Sequence, residues 1–508
     1  MKSKRTLVGV RVVGALGCLA ILASLAATGC ASSETRWKSD DPVVDLRNRA
    51  ADPRLRVSAV DQARDRAGTD PVAIASVTRT LKDIAWTPAE FPQLRLAAIT
   101  SLINDPNPAV AADAREMGKL MLPREQERPI VVYLAKAAAD RGWTDYVPSL
   151  IRSYARPLKA VDDATRVEAL AVRDLSDGRP VADVVFEVFL DPPRMPETYG
   201  MDWAKRFRAD AWDLLGRLDA EGTRRIEMLA AAPGGSAGDV VVENIRTCLR
   251  DLKSVPLTGE ELSWLTSLRD GTKPANVVWW ADTSAAVATV ADKGPFHMRH
   301  AEAIRWCKAN RPQWLTMTKS ELASELKSRL SDRTRHDRTV DTAVKRNRED
   351  FAHWEGSMKW ADILAVLTID DALANPQVRE GLVAQSGLDR KDTTTEYGGL
   401  LGFRSEGDSR IVLFPPRPGQ RQGDEKFIAS DDMVAAGDLA LAHYHFHAQS
   451  QQNGGYAGPS AGDLVYAARY GRSCLVFTSV GEGRLATDYY QPDGVIIDLG
   501  SFSGVLGQ

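Results

Sequence analysis

Three of the seven histidines in the chain occupy alternate positions of one short segment, as His443, His445 and His447. Successive side chains of a β-strand point to opposite faces, so in a strand these imidazoles share one face while Tyr444 and Phe446 fill the other. Neighbouring imidazoles on one face can bind a single metal ion. The spacing therefore predicts a metal site rather than scattered surface histidines.

A third ligand must be a carboxylate or Cys474, because His447 is the last histidine in the chain. Asp463 is the candidate carboxylate, because it stands at the start of the following predicted helix. Two imidazoles and one carboxylate leave a fourth position for water, which is the open coordination of a catalytic zinc site. We therefore expect Zn²⁺, bound by His445, His447 and Asp463.

The elements that position these residues lie beyond Trp360. Apolar runs predict strands in the following segments: ADILAVLTI, TEYGGLLGF, SRIVLFPP, DLALAHYHFHA, SCLVFTSV and DGVIIDLG. ANPQVREGLVAQSG and GPSAGDLVYAARYG are typical of helices, the second capped by Ser460 and followed by Gly471. These segments predict an α+β domain over residues 357–508.

The order of these residues resembles the JAMM (JAB/MPN) metalloproteases, whose motif is a glutamate before a glycine-rich strand, then H-x-H, then S-x-x-D. The matching residues are Glu396 in TEYGGLLGF, His445 and His447 in HFH, and Ser460 and Asp463 in PSAGD. The resemblance implies a zinc peptidase or isopeptidase. It also implies that Glu396 is the general base and that Ser460 hydrogen-bonds the oxyanion.

The segment departs from the family pattern at three places. Ala448 stands where a proline usually follows the second histidine, Gly398 stands where a cysteine is common, and QSQQNGGYAG lengthens the loop before Asp463. His443 is an additional histidine with three open roles: a ligand in another register, a side chain that orients a ligand, or a solvent-facing residue. The longer loop leaves the entrance to the site open to question.

Each part of the motif also has a purely structural interpretation. Ser460 and Asp463 fit a helix capping box, Glu396 fits an exposed strand edge, and alternating histidines fit a half-buried sheet face. A cupin-type site also uses H-x-H, but it needs a glutamate soon afterwards and AQSQQNGG contains none. The order of the pieces favours the metalloprotease interpretation.

The first half of the chain repeats a helical pattern in which alanine follows arginine by three residues. The copies are Arg56 in DPRLRVSAV, Arg95 in FPQLRLAAI, Arg166 in DATRVEALAV and Arg208 in RFRADAWDLL, with a degenerate copy near RPIVVYLAKAAA. A period of about 40 residues is typical of paired-helix repeats. Residues 43–255 therefore resemble HEAT-like repeats, which stack into a surface suited to a protein partner.

Residues 256–356 are predicted to be a helical, tryptophan-rich connecting region. The run RLSDRTRHDRTVDTAVKRNREDF predicts a solvated helix face. His297 and His300 are a possible second ligand pair, although their spacing fits any helix surface. We assign this region no chemistry.

The N-terminus predicts export. Basic residues precede the apolar run VGALGCLAILASLAATG and Cys30, which resembles a bacterial lipoprotein signal. The resemblance implies a signal peptide over residues 1–29, a lipidated Cys30, a polar tether over 30–42 and, from Ala31, an outer-membrane location facing the periplasm. A plain secretory signal or a single transmembrane helix also fits this segment.

Charge and cysteine content exclude two classes of protein. A net charge of −3, from 65 basic and 68 acidic residues, offers no basic face for nucleic acid. Once Cys18 is removed with the signal and Cys30 is lipidated, three widely spaced cysteines remain, which do not make a disulfide framework.

The sequence thus predicts a multidomain protein, with an all-α HEAT-like array followed by an α+β JAMM/MPN-like domain. We expect a membrane-anchored zinc peptidase that acts on a peptide or isopeptide-linked substrate in the cell envelope. The alternative is a non-catalytic scaffold lipoprotein that binds partners through its repeats and has a metal-free MPN-like domain.

Overall fold

The computed structural model describes residues 39–158, 161–193, 202–219, 222–232, 239–340, 349–404 and 407–504. The predicted signal peptide, Cys30 and most of the predicted tether lie outside these residues. The chain divides into two compact units, one ending at Val181 and the other beginning at Ala182. Within the described ranges, no helix combines the length and the apolar character needed to cross a membrane.

The described secondary-structure elements of the first unit are all helices. Its helices are α1 (Pro42–Arg47), α2 (Pro53–Ala67), α3 (Pro71–Trp86), α4 (Pro92–Ile103), α5 (Pro108–Met121), α6 (Arg128–Asp140), α7 (Val147–Ala155) and α8 (Val167–Leu175). Four of them are capped by the side chain just before a first-turn proline: Asp41, Asp52, Asp70 and Asn107. An Asx cap followed by proline starts a helix because the side chain accepts an orphan N–H and proline needs no partner.

The arginines of the repeated pattern hold the ends of neighbouring helices. Arg56 donates through Nε to Leu46 O (3.1 Å) and through Nη1 to Glu90 (2.6 Å). The other copies in this unit bond in the same way: Arg95 to Ala85 O and Glu125, and Arg166 to Tyr154 O and Glu168. Each carbonyl belongs to the penultimate residue of a helix, where intrahelical partners run out, and each carboxylate balances the buried guanidinium.

The second unit begins with helices and ends with sheets. Its first helices are α9 (Val181–Leu190), α10 (Trp203–Leu218), α11 (Thr223–Ala231), α12 (Val240–Leu252), α13 (Gly259–Leu268), α14 (Pro274–Ala288), α15 (Ala301–Asn310), α16 (Pro312–Thr316), α17 (Lys319–Leu330), α18 (Phe351–Trp354), α19 (Trp360–Leu373) and α20 (Pro376–Asp389). Arg208 repeats the bonding scheme of the first unit, with Phe189 O at 3.1 Å and Asp239 at 2.5 Å.

The later elements of this unit are mostly strands. They are β1 (Thr395–Glu396), β2 (Gly398–Phe403), β3 (Ser409–Leu413), β4 (Gly423–Phe427), α21 (Asp431–Ala436), β5 (Ala442–His447), α22 (Ala461–Tyr470), β6 (Cys474–Gly481), β7 (Arg484–Tyr490) and β8 (Ile496–Ser503). Six strands form one sheet in the order β3-β2-β5-β6-β7-β8, and β1 pairs with β4. Strand β5 pairs in parallel with β6, which requires a crossover, and α22 supplies it. A helical part followed by a strand-rich part agrees with the predicted layout.

Two local predictions were wrong, and two strands were missed. ADILAVLTI is not a strand but part of α19, in which every residue except Asp371 is buried. A helix buried on all sides lacks the polar face that reveals its period, so its apolar run imitates a strand. The charged run leaves the helix after Leu330 and continues without helical structure through residues 331–340. Strands β4 and β7 were not predicted.

Tryptophans join the connecting region to the strand-rich part. Trp264 donates its indole N–H to Asp438 O at 2.9 Å, and Trp306 donates to Gly407 O at 2.8 Å. The Trp306 ring also stacks on Phe403, with ring centroids 4.8 Å apart. A large apolar ring with one polar atom suits a buried contact that ends on a backbone carbonyl. The tryptophans therefore stabilise the packing of these helices against the strands.

Candidate metal centre

Strand pairing brings the predicted residues together. Gly398 pairs with His445 in the β2–β5 register, so Glu396, just before β2, reaches the end of β5 that carries His447. The two strands approach closely, because a Cβ added to Gly398 would lie 2.6 Å from Tyr444 O. The glycine-rich start of β2 is thus needed for the approach of the two strands.

Three polar side chains converge at distances that suit a tetrahedral ion. His445 Nε2 lies 3.3 Å from His447 Nε2 and 3.3 Å from Asp463 Oδ1, and His447 Nε2 lies 3.7 Å from Asp463 Oδ2. Zinc bonds of 2.0–2.1 Å at tetrahedral angles place neighbouring ligand atoms about 3.4 Å apart. The donor set therefore fits Zn²⁺ in both chemistry and spacing.

Each candidate ligand histidine has a hydrogen bond on its far nitrogen. His447 Nδ1 is 2.9 Å from Tyr456 O, which can only accept, so Nδ1 carries the proton and Nε2 keeps its lone pair. His445 Nδ1 lies 3.4 Å from Tyr490 Oη. Such outer bonds fix the ring and direct Nε2 toward a metal.

Ser460 and Asp463 form a capping box, and Asp463 also faces the histidines. Ser460 N donates to Asp463 Oδ2 at 2.6 Å, and Asp463 N donates to Ser460 Oγ at 3.3 Å. The capping interpretation is therefore confirmed, while Asp463 Oδ1 remains directed at His445. Accepting the Asp463 amide does not use the Ser460 O–H, which keeps its capacity to donate.

Glu396 lies beside the histidine pair rather than at an exposed edge, since only 4% of it is exposed. One of its carboxylate oxygens, one His445 nitrogen and one His447 nitrogen all lie within 4.8 Å of one another. Gln449 Nε2 donates to Glu396 Oε1 at 2.8 Å. Glu396 is thus close enough to serve either as a base beside the metal or as a ligand.

Burial and charge set the protonation of the cluster. Burial raises the pKa of Glu396 to about 7, a shift that His445 opposes and Asp463 reinforces. Burial, and then the neighbouring His445, lower the pKa of His447 to about 4, so its imidazole is neutral at pH 7. Burial also acts to raise the pKa of Asp463, but His445 and His447 lower it overall, which keeps the carboxylate ionised.

The other predicted histidines lie apart from this cluster. His443 is 2% exposed, so it does not face solvent, and its Nδ1 is 2.8 Å from Tyr466 Oη. His300 Nε2 bonds Asp362 at 2.8 Å, and His297 Nε2 lies 2.8 Å from Lys359 Nζ. Across the described ranges, a group whose ligand atoms all lie within 4.8 Å of one another comprises Glu396, His445 and His447, and it includes none of these three histidines.

Several residues at the centre were not predicted: Gln449, Asn453, Tyr456 and Tyr490. For Gln449 a signal existed, because it continues the alternation of the three histidines by one more step.

No protein-family model, curated protein or solved structure matches the chain.

Proposed function

We propose that residues 357–508, within the second unit, form a JAMM-type zinc peptidase or isopeptidase domain. The main support is the near-tetrahedral spacing of His445 Nε2, His447 Nε2 and Asp463 in a buried cluster. Glu396 provides a buried carboxylate beside this set. Two imidazoles, one carboxylate and one nearby base are the parts that zinc-assisted amide hydrolysis requires.

His445, His447 and Asp463 would hold the ion, which would act as a Lewis acid toward water and the scissile carbonyl. Glu396 accepts a proton from the attacking water while the water oxygen bonds the carbonyl carbon. Glu396 then returns that proton to the amine as the C–N bond breaks. Ser460 donates its O–H to the carbonyl oxygen as negative charge develops there. The products are a carboxylic acid and an amine.

The remainder of the proposal concerns location and partners. The repeated arginine contacts support HEAT-like repeats, whose surface would bind a protein partner. Lipidation of Cys30 would hold the protein at the cell envelope, where a peptide or isopeptide is the substrate. A Cys30→Ser variant is expected to lose membrane association in a fractionation assay, and retention of that association would contradict the anchor.

Metal content of the purified protein, expressed from Ala31 onward, tests the catalytic proposal. We expect about one zinc ion per chain, and none in a His447→Ala, Asp463→Ala double variant that stays folded by circular dichroism. Glu396→Gln is expected to retain zinc but to lose hydrolysis of a peptide library. A folded parent that takes up no metal, even after zinc is added, would leave the non-catalytic scaffold as the function.

A further inference from the structure

Gln449 stands two residues after His447, just beyond the end of β5. Its side-chain Nε2 donates two hydrogen bonds, one to Glu396 Oε1 at 2.8 Å and one to Asp424 O at 2.6 Å. Both hydrogens of the amide are therefore engaged. Gln449 links the candidate base to the backbone of β4.

Asn453 fixes the orientation of this amide. Its Nδ2 donates to His447 O at 3.1 Å and to Gln449 Oε1 at 2.6 Å. A backbone carbonyl can only accept, so the contact with His447 O identifies Nδ2 of Asn453 as the donor, and the oxygen of Gln449 must then face it. The backbone of Asn453 donates to Ser479 O at 2.7 Å, which ties the pair to β6.

The bond from Gln449 matters because Glu396 can take either of two roles. A carboxylate oxygen within 4.8 Å of the histidine nitrogens needs to move only a short distance to become a fourth ligand. A fourth protein ligand would close the position that a catalytic zinc site leaves to water. Gln449 donates to one of the two carboxylate oxygens, Oε1, and so restrains the carboxylate from moving.

We propose that Gln449 is a positioning residue that keeps Glu396 available as the proton acceptor and prevents it from joining the metal ligands. This inference rests on the proposed function, because the base role belongs to that proposal. The same contact explains why the longer loop after β5 begins with glutamine. The loop carries Gln449 and Asn453, and it therefore shapes the centre itself.

Gln449→Met tests the inference because it keeps the side-chain length and removes both donors. Gln451→Met is the matched control, since Gln451 is an exposed glutamine of the same loop. Cobalt(II) in place of zinc gives a readout that does not depend on turnover, because its visible absorption depends on the ligands that coordinate it. We expect the spectrum of Gln449→Met to differ from that of the parent, because Glu396 replaces the water ligand, and the spectrum of Gln451→Met to match the parent.

A Glu396→Gln background identifies the added ligand. In that background we expect Gln449→Met to leave the cobalt spectrum unchanged. When Glu396 is present, we expect Gln449→Met to lower kcat of the zinc enzyme about 10- to 100-fold and to leave KM unchanged. Spectral change that depends on Glu396 supports the inference even if no hydrolysis is found, in which case only the proposed function fails. An unchanged spectrum in Gln449→Met overturns the inference alone, and a parent that binds no cobalt overturns both.

Discussion

At the scale of single residues, each candidate ligand histidine depends on one bond behind its ring. His447 is fixed by a backbone carbonyl, which no side-chain substitution removes, whereas His445 depends on the hydroxyl of Tyr490. Substitution of Tyr490 therefore removes the bond that orients His445 while leaving His445 itself in place. The neighbouring Tyr489 is equally buried, but its hydroxyl donates to Gln491 at 2.8 Å.

Tyr490→Phe is expected to weaken zinc binding about tenfold, because the His445 ring loses the bond that orients it. Competition with a chromogenic chelator measures the change. Tyr489→Phe is the control, and each substitution is expected to cost about 1 kcal/mol of unfolding free energy. Equal zinc affinities in the two variants would show that the Tyr490 hydroxyl has no part in the site.

The candidate ligands could be identified from the sequence because they leave marks in the local pattern. A strand period of two aligns His445 with His447, and a cap with its N3 partner marks Ser460 and Asp463. The spacing of Gln449 marks its position but not its role, because its partner Glu396 lies 53 residues away in the chain. A glutamine in a loop acquires a function only when the sheet register brings that carboxylate to it.

At the scale of elements, buried arginine–carboxylate pairs stabilise the packing of the helices. Glu168 accepts from Arg128 at 2.7 Å and from Arg166 at 2.8 Å. Burial by itself acts to raise its pKa, but the two arginines outweigh burial and bring the pKa to about 2. The unfolded chain has its glutamate pKa near 4.3, so folding favours the ionised form.

The folded pKa lies below the unfolded one, so this stabilisation is complete above about pH 5 and is lost as the pH falls toward 2. The ionised pair is expected to contribute about 3 kcal/mol at pH 7. Urea unfolding of the parent and of Glu168→Gln from pH 7 to pH 3 measures this contribution to the free energy of unfolding. The difference between the two proteins is expected to shrink with acid, and a constant difference would contradict this account.

Helix starts carry a stronger local signal in this sequence than some of the strands do. Asx-proline pairs such as Asp52-Pro53 mark a helix start by a local mechanism, and the structure has helices there. The sequence of α19 did not show whether it forms a helix or a strand, because the helix is buried on every side. Such burial is a tertiary property and leaves only an apolar run in the sequence. β4 pairs at only two positions, Thr395 with Gly423 and Glu396 with Phe427, so it lacks a strong pattern of its own.

At the scale of the whole molecule, the candidate ligands all belong to the second unit, which begins at Ala182. Metal binding should therefore stabilise that unit and leave the first unit unchanged. We expect a chelator to lower only one of two unfolding transitions, with a loss of about 4 kcal/mol when zinc is present at 1,000 times its Kd. Calorimetry with and without the chelator measures this, and movement of both transitions would contradict it.

The position of the ligands along the chain also has a consequence for the order of folding. His445, His447 and Asp463 lie on β5 and the first turn of α22, so closure of the one loop between these elements brings them together. Glu396 comes from β1 and arrives only when β2 pairs with β5. Stopped-flow refolding with a zinc-sensitive dye is expected to show zinc uptake before peptide hydrolysis, and simultaneous onset would contradict that order. A newly made chain would then be loaded with metal while it is still inert.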